Sequence, residues 1–474
     1  MLDFLEQLYV WTEWPIRLAM LVYVPQRRSP AAARTWLLLI FLLPWAGLIL
    51  YVLVGRIRYS RRRREVLELF RQRQCEAQKR LPAGLAVAPG EPTPLASAAA
   101  NLAEQLGGFQ MLQGNAVEVL TDYQGTLDRL VADMDAATQH IHLLTYIFGD
   151  DEPGRRVADA LGRAAARGVQ CRVLLDGFGS KLALKRMAPA LRVQGIEVVA
   201  LQEFHVFRRE RTRADLRNHR KITVCDGRIG YIGSQNITRP DFVPGHPNEE
   251  IVLRVAGPVV MQLQAIFLVD RRMETGDAIM AGEHFQALEP VGPVCAQALP
   301  SSPGYQVPST ETLMVWLIHQ ARRRVVVTTP YFVPETDFVE ALRTAALRGV
   351  ETHIIVSQHA NQPLTQLAQQ SYYDQLLENG IQIHLYRPRF LHAKMLTVDD
   401  TLALVGSSNI DIRSFALNAE ASLLLHDPAL LAKLRAVDDR HLADSDLLTR
   451  EEWAKRPFMR RVAQNVARLA DSFL

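Results

Sequence analysis

Apolar and polar positions fall into distinct regimes along the chain. From Thr35 to Gly55 ("TWLLLIFLLPWAGLILYVLVG") there is no acidic or basic side chain after the arginine at 34. That run is close to the roughly 20 apolar residues a helix needs to cross a bilayer. Trp36 and Tyr51 lie near its ends, where interfacial rings are favoured, and Pro44 predicts a kink. Leu8 to Val24 is also apolar but carries Glu13, Pro15 and Arg17. It reads as a second span or an interfacial helix. Residues 80–100 ("RLPAGLAVAPGEPTPLASAAA") are rich in Pro, Ala and Gly and predict a connector.

Beyond the connector the pattern occurs twice. "HIHLLTYIF" (His140 to Phe148) and "RVVVTTPYF" (Arg324 to Phe332) are short apolar strands. Helical periodicity follows each. Then "ARGVQCRVLLD" and "LRGVETHIIVS" stop a helix at Arg-Gly before another buried strand. Third strands lie in "QGIEVVAL" and "NGIQIHLY". This rhythm predicts a mostly parallel sheet with helices on its faces. Its recurrence predicts a duplicated α/β unit forming a pseudo-twofold pair.

Each copy ends in a matching polar phrase: "NHRKITVCDGRIGYIGSQN" (Asn218 to Asn236) and "LHAKMLTVDDTLALVGSSN" (Leu391 to Asn409). Residues at i and i+2 share a strand face, so His219 joins Lys221 and His392 joins Lys394. Ser234 with Asn236, and Ser407 with Asn409, bring small hydrogen-bonding groups back toward the histidines. Two such halves, facing across the twofold, suit a phosphoryl group without a metal. One imidazole can attack phosphorus while the other handles protons. Glu250 and Glu420, each two positions after an Asn, are expected to orient the histidine of their own copy, with Glu249 as the alternative to Glu250. Asp226 and Asp399 complete the motif and stand with the candidate catalytic residues. Their position, five past the lysine, predicts that they hold the following turn.

Net charge is only +4, but its placement is informative. The cluster Arg61 to Arg64 outweighs Arg27, Arg28 and Arg34, which predicts that the bulk of the chain lies on the cytoplasmic side. The first copy carries an insertion, Glu203 to Asn218, whose arginines form a basic rim suited to an anionic substrate or membrane surface. Near the chain end Phe458, Val462, Val466, Leu469 and Phe473 recur at helical spacing opposite Arg460, Arg461 and Arg468. This is either a helix docked on its own domain or an interfacial amphipathic helix. The four cysteines have no zinc or CxxC spacing and read as free thiols. A basic stripe interleaved with aromatics is missing, which disfavours nucleic acid.

The doubled H-x-K-x4-D-x6-G-S-x-N resembles the signature of the phospholipase D superfamily. With "TYIFGDDEPG", "LLDGFGS", "RNHRKI", "TPYFVPE" and "DIRSFALNAE", the chain is similar to its bacterial cardiolipin synthase branch. The resemblance implies two tandem phospholipase D-like α/β/α sandwich domains behind an N-terminal transmembrane helix or hairpin. The implied boundaries are an anchor at 1–58, a basic juxtamembrane segment and linker at 59–110, and domains at 111–290 and 291–474. The implied reaction moves a phosphatidyl group between two phosphatidylglycerols through a phosphohistidine, at the bacterial cytoplasmic membrane and without a cofactor. His219 is then the nucleophile and His392 the general acid and base, with Lys221, Lys394, Asn236 and Asn409 on the phosphate. Hydrolysis by the same site is one alternative. A catalytically silent scaffold binding anionic membrane lipids is another, against which the two intact His-Lys pairs speak.

Overall fold

The computed structural model describes residues 2–28, 30–55, 60–79, 81–82, 84–88, 90–202, 215–277, 289–305 and 308–469. Contacts divide the chain into a unit of Met1–Arg61 with Phe204–Leu216, and a larger unit of Arg62–Glu203 with Arg217–Leu474.

The small unit holds α1 (Leu2–Tyr23), α2 (Pro30–Leu42) and α3 (Pro44–Leu50), closed by a π-helical turn at Tyr51–Gly55. Met20, Val24, Ala33, Trp36, Ile40 and Tyr51 form its core. The apolar run from Thr35 is not one continuous helix. Proline has no amide hydrogen, and its ring crowds the carbonyl four residues back, so the helix breaks at Leu43 and restarts at Pro44. Gly47 then packs so closely on Ile40 that an added Cβ would meet its Cα at 2.8 Å. Among the described residues, no helix is long and apolar enough to cross a membrane.

In the larger unit, the first repeat contributes β1 (Leu112–Leu120), β2 (His140–Thr145), β3 (Gln170–Asp176), β4 (Glu197–Leu201) and β5 (Arg217–Asn218). It continues with β6 (Ile222–Cys225), β7 (Ile229–Gly233), β8 (Asn248–Glu249) and β9 (Val252–Ala256). The second repeat adds β10 (Val294–Ser301), β11 (Arg324–Thr328), β12 (Phe332–Val333), β13 (Glu351–Ser357), β14 (Gln382–Tyr386) and β15 (Phe390–Leu391). It ends with β16 (Met395–Val398), β17 (Leu402–Gly406), β18 (Ile410–Asp411), β19 (Asn418–His426) and β20 (Ser445–Leu448). The first repeat forms the order β4-β3-β2-β6-β7-β9-β1, and the second mirrors it as β14-β13-β11-β16-β17-β19-β10. The predicted strands β2, β3 and β4 are parallel, as are β11, β13 and β14. Antiparallel strands extend each set, and β1 pairs with β10 to join both halves in one sheet.

Two helices precede the repeats: α4 (Arg61–Gln78) and α5 (Pro94–Gly107). The expected linker is thus only partly a connector. Thr93 caps α5 by accepting from Ala96 N, Pro94 takes the first turn, and Ala96, Ala99, Ala100 and Ala103 enter the core of the second repeat. The first repeat carries α6 (Tyr123–Ala136), α7 (Glu152–Ala166), α8 (Lys181–Arg186), α9 (Ala188–Val193) and α10 (Val260–Thr275). The second carries α11 (Ser309–Gln320), α12 (Thr336–Leu347), α13 (Pro363–Gln370), α14 (Tyr373–Glu378), α15 (Ile412–Ala416) and α16 (Pro428–Ala443). The chain continues through α17 (Arg450–Ala454) to α18 (Phe458–Arg468). All four cysteines are free, and only Cys75 is exposed. The arginines of the insertion before Arg217, and Phe473, lie outside the described residues.

Candidate active site

Each histidine follows a two-residue strand that pairs with the opposite repeat. β5 runs parallel to β19, and His219 N donates to Ala419 O at 2.8 Å. β15 runs parallel to β8, and His392 N donates to Glu249 O at 2.8 Å. The side chains follow the same exchange. His219 Nδ1 lies 2.9 and 3.1 Å from the Glu420 carboxylate oxygens, and His392 Nδ1 lies 2.8 Å from both oxygens of Glu250. The expected same-copy pairing is therefore corrected: each glutamate serves the other copy's histidine. The sheet order gives the reason. Within a repeat β7 separates β6 from β9, which places a strand and its next neighbour about 10 Å apart.

Successive strand residues point to opposite faces, and this decides between the two adjacent glutamates. Glu250 faces His392, whereas Glu249 meets Arg389 at 3.2 Å and Arg440 at 3.1 Å. The asparagines two residues before the glutamates hydrogen-bond them, a contact that the motif alone did not single out. Asn248 Nδ2 donates to Glu250 at 3.1 Å, and Asn418 Nδ2 to Glu420 at 3.4 Å.

Ser234 and Ser407, expected on the phosphate, are fully buried behind the glutamates instead. Ser407 Oγ donates to Glu420 Oε2 at 2.5 Å and accepts from Ala421 N at 3.1 Å. Ser234 Oγ accepts from Ile251 N at 2.9 Å and lies beside Glu250. The preceding glycines let the strands approach this closely. A Cβ on Gly233 would stand 2.3 Å from Ile251 O, and one on Gly406 2.3 Å from Ala421 O.

Asp226 and Asp399 stand away from the pocket, correcting their place among the catalytic candidates. The Asp226 carboxylate accepts from the amides of Thr138, Gln139 and His140 at 2.8 to 2.9 Å. Asp399 accepts from those of Arg322, Arg323 and Arg324 at 2.6 to 2.8 Å. These contacts lie at the beginning of β2 and β11, about 16 Å along the strands from the lysines at roughly 3.3 Å per residue. Asp226 and Gly227 both have positive φ, 53° and 64°, as a primed hairpin turn requires. Asp226→Ala is expected to lower unfolding stability by about 2–4 kcal/mol while leaving KM unchanged, as denaturant titration and kinetics together will report.

Lys221 Nζ donates to His219 O at 2.6 Å and sits 5.5 Å from the Tyr146 ring centroid, while Lys394 Nζ donates to His392 O. Tyr146 stands edge-on to His219, and Phe242 edge-on to His392. Asn236 Oδ1 accepts from Ile147 N at 3.1 Å, which orients its side-chain amide. Asn409 Oδ1 is buried without a hydrogen-bond partner among the described residues. Arg220 is a further feature the repeat concealed, because Ala393 occupies its place in the second copy. Its guanidinium is buried against Asp270 at 2.5 and 2.6 Å and donates to Glu420 O at 2.9 Å.

Burial dominates the electrostatics. It pushes the His392 imidazole down to about 4, against the pull of Glu250, and lowers His219 against Glu420. Burial alone raises a carboxyl, but the His392 ring and Lys394 ammonium overcome it and hold Glu250 at about 2. His219 and Lys221 act likewise on Glu420. The resting state we assign is a carboxylate accepting from Nδ1–H of a neutral imidazole, with Nε2 left as a base. Burial also brings Lys221 down to about 8 and Lys394 to about 7, despite the nearby glutamates. A negative charge placed beside the two ammonium groups reverses part of this cost, because it favours their protonated form.

The family described as "Cardiolipin synthase, PLD-like domain" matches residues 130–270 and 314–441, and "Phospholipase_D-nuclease N-terminal" matches residues 16–56. Cardiolipin synthase A of Pectobacterium carotovorum subsp. carotovorum (strain PC1) is 32% identical over 449 residues, covering 93% of this chain and 92% of the relative. Cardiolipin synthase A of Yersinia pseudotuberculosis serotype O:1b (strain IP 31758) is 33% identical with the same coverage. Among solved structures, phosphatidylserine synthase of Haemophilus influenzae Rd KW20 aligns with a TM-score of 0.59 at 14% identity. It covers 80% of this chain and 100% of that one, a likeness of fold. Two matched repeats and near full-length relatives establish that the chain belongs to the cardiolipin synthase family of phospholipase D-like proteins.

Proposed function

We propose that this chain is a cardiolipin synthase, transferring a phosphatidyl group from one phosphatidylglycerol to another. The observation that carries the reading is the crosswise exchange of Glu420 onto His219 and Glu250 onto His392. It supports one pocket with two oriented imidazoles and two ammonium groups rather than two separate sites. With the phosphodiester anion bound beside it, His392 takes up a proton at Nε2. Nε2 of His219 then attacks phosphorus, and the P–O bond to the glycerol headgroup breaks as His392 delivers that proton to the leaving oxygen. Free glycerol departs and leaves a phosphatidyl group on His219. His392, now neutral, takes the proton from the terminal hydroxyl of a second phosphatidylglycerol. That oxygen attacks phosphorus, His219 leaves, and cardiolipin is released. Lys221, Lys394 and the amides of Asn236 and Asn409 hold the charged oxygens.

The reading includes an N-terminal membrane anchor, one or two spans in the cytoplasmic membrane, with the repeats on the cytoplasmic side. Leu38, Leu42, Val52 and Leu53 support it, each more than half exposed on the helices of the small unit. An anchor raises the local concentration of lipid acceptor relative to free substrate. Membranes carrying the chain, given phosphatidylglycerol labelled in its headgroup, are expected to yield cardiolipin and glycerol in equal amounts. Phosphatidic acid with glycerol would instead identify a hydrolase, and no turnover a silent scaffold.

The lysines set an alkaline limit. Both must be protonated to hold the phosphodiester, and their values in the free protein are about 8 and 7. A plot of log kcat/KM against pH is expected to bend downward through pH 7 to 8. Its limiting slope should be steeper than −1, because two protons are lost. A flat profile to pH 9 would remove the lysines from phosphate binding.

A further inference from the structure

The two histidines share a position relative to the strands. Asp176, at the end of β3, accepts from Asn218 N at 2.9 Å, directly before His219. Ser357, at the end of β13, accepts from Leu391 N at 3.2 Å, directly before His392. Both therefore lie beyond the carboxyl ends of the parallel strands. α8 and α13 follow those ends. Ser180, directly before α8, donates to O of Tyr146, whose ring stands against His219. Gln362, directly before α13, donates to Tyr331, whose ring lies near Phe390 of the other histidine strand.

These flanks expose apolar side chains. Phe178 N and Gly179 N both donate to Asp176 at 2.9 Å, fixing the start of the segment that carries α8 beside the histidine strand. Phe178 is 65% exposed, stacked under the Arg217 guanidinium 4.6 Å away, and Leu182 on α8 is 59% exposed. On the opposite flank Leu364 of α13 is exposed, and α18 packs on α13 through Gln464, which donates to Gln370 at 3.0 Å. At about 100° per residue, Phe458, Met459, Val462 and Val466 of α18 and Leu469, its C-cap, occupy a single arc of about 100°. Gln464 and Ala467, the buried residues of that helix, lie on the other side. Docking and exposure, alternatives from sequence, thus coexist on one helix. Phe458, Met459 and Leu469 are each more than 70% exposed. α18 has no acidic residue; Arg461 lies exposed beside the apolar arc, while Arg460 reaches Gln370 of α13 and Arg468 stacks on the Tyr372 ring.

We propose that this edge of the molecule docks on an anionic lipid bilayer, with Phe178 and Leu182 on one side of the pocket and the apolar arc of α18 on the other. The occupant follows from the chemistry: exposed aromatic and aliphatic side chains bordered by basic groups are what the interfacial region of an anionic leaflet accommodates. A soluble anionic substrate has no use for the apolar part. The inference rests on the lipid-substrate reading and adds the geometry of delivery, since substrate headgroups enter from the surface on which the protein lies.

The test uses the full-length chain, anchor included, reconstituted in vesicles of phosphatidylglycerol and phosphatidylcholine or of phosphatidylcholine alone. In a Cys75→Ser background, an environment-sensitive fluorophore is placed singly at Phe178→Cys, Phe458→Cys or Arg322→Cys. Arg322, exposed next to the amino end of β11, marks the opposite edge. Quenching by lipid-borne nitroxide is expected to be at least about fivefold stronger at 178 and 458 than at 322 in the anionic vesicles. The contrast should shrink about twofold without anionic lipid. Equal quenching at all three positions overturns the proposal, as does protection at 178 and 458. The triple variant F458Q/V462Q/V466Q should raise KM for vesicular phosphatidylglycerol about tenfold while kcat in detergent micelles stays within about twofold; an unchanged KM likewise overturns it. Turnover in micelles is scored separately, so a protein that docks but makes no cardiolipin tells against the transfer reading and leaves the docking surface intact.

Discussion

His219→Ala and His392→Ala will each reduce cardiolipin formation by about 10,000-fold, and the double variant will be no worse than either single one. The non-additivity follows from one pocket in which nucleophile and proton carrier serve the same two steps. Each imidazole is held by a carboxylate of the opposite repeat, so neither repeat contains a complete half-site. Mixing the two inactive proteins should accordingly restore nothing, because every chain supplies both histidines to its own pocket. Quantitative lipid analysis of membranes carrying each variant measures the loss. Full activity in His219→Ala would exclude the phosphohistidine route.

The second expectation separates the two carboxylates. Glu420→Gln should impair nucleophilic attack by His219, whereas Glu250→Gln should impair proton delivery by His392. Each is expected to cost about 100- to 1,000-fold with natural substrate. A phosphatidyl ester with a nitrophenolate leaving group needs no protonation when the P–O bond breaks. Formation of the phosphoenzyme from it, followed as a nitrophenol burst, should be nearly normal in Glu250→Gln and remain slow in Glu420→Gln. Same-repeat pairing predicts the reverse, so the assay tests the exchanged geometry directly. Both substitutions keep size but exchange one acceptor oxygen for an NH2 donor, and thermal unfolding should confirm that the buried sites tolerate them.

Much of the site was legible in the chain because its chemistry is written locally and twice. His219, Lys221 and Asn236, and their counterparts in the second copy, are recoverable from spacing on a strand-turn-strand. The positive φ at Asp226 and the turn it holds follow from the same local rule. Membership of a motif misled where a residue's partner lies far off in sequence. Ser407 belongs to the phosphate-binding phrase by spacing, yet its hydroxyl is taken by Glu420, on a strand the phrase does not contain. Arg220 was hidden for a different reason: it breaks the repeat, and its buried partner Asp270 stands 50 residues away on α10.

The duplication, the parallel strands, the identity of the paired histidines and lysines, and the apolar character of both termini are readable from the chain alone. These depend on periodicity and short-range spacing, which the covalent chain carries directly. It is the fold that brings Glu420 to His219 across 201 residues and Glu250 to His392 across 142. It also decided that β1 and β10 fuse two sheets into one, that Pro44 divides the apolar run, and that α18 turns one side to α13 and another outward. The reason is the exchange of short strands between repeats: a twofold arrangement makes same-copy and cross-copy partners equivalent in spacing, and only the distance across the folded sheet distinguishes them.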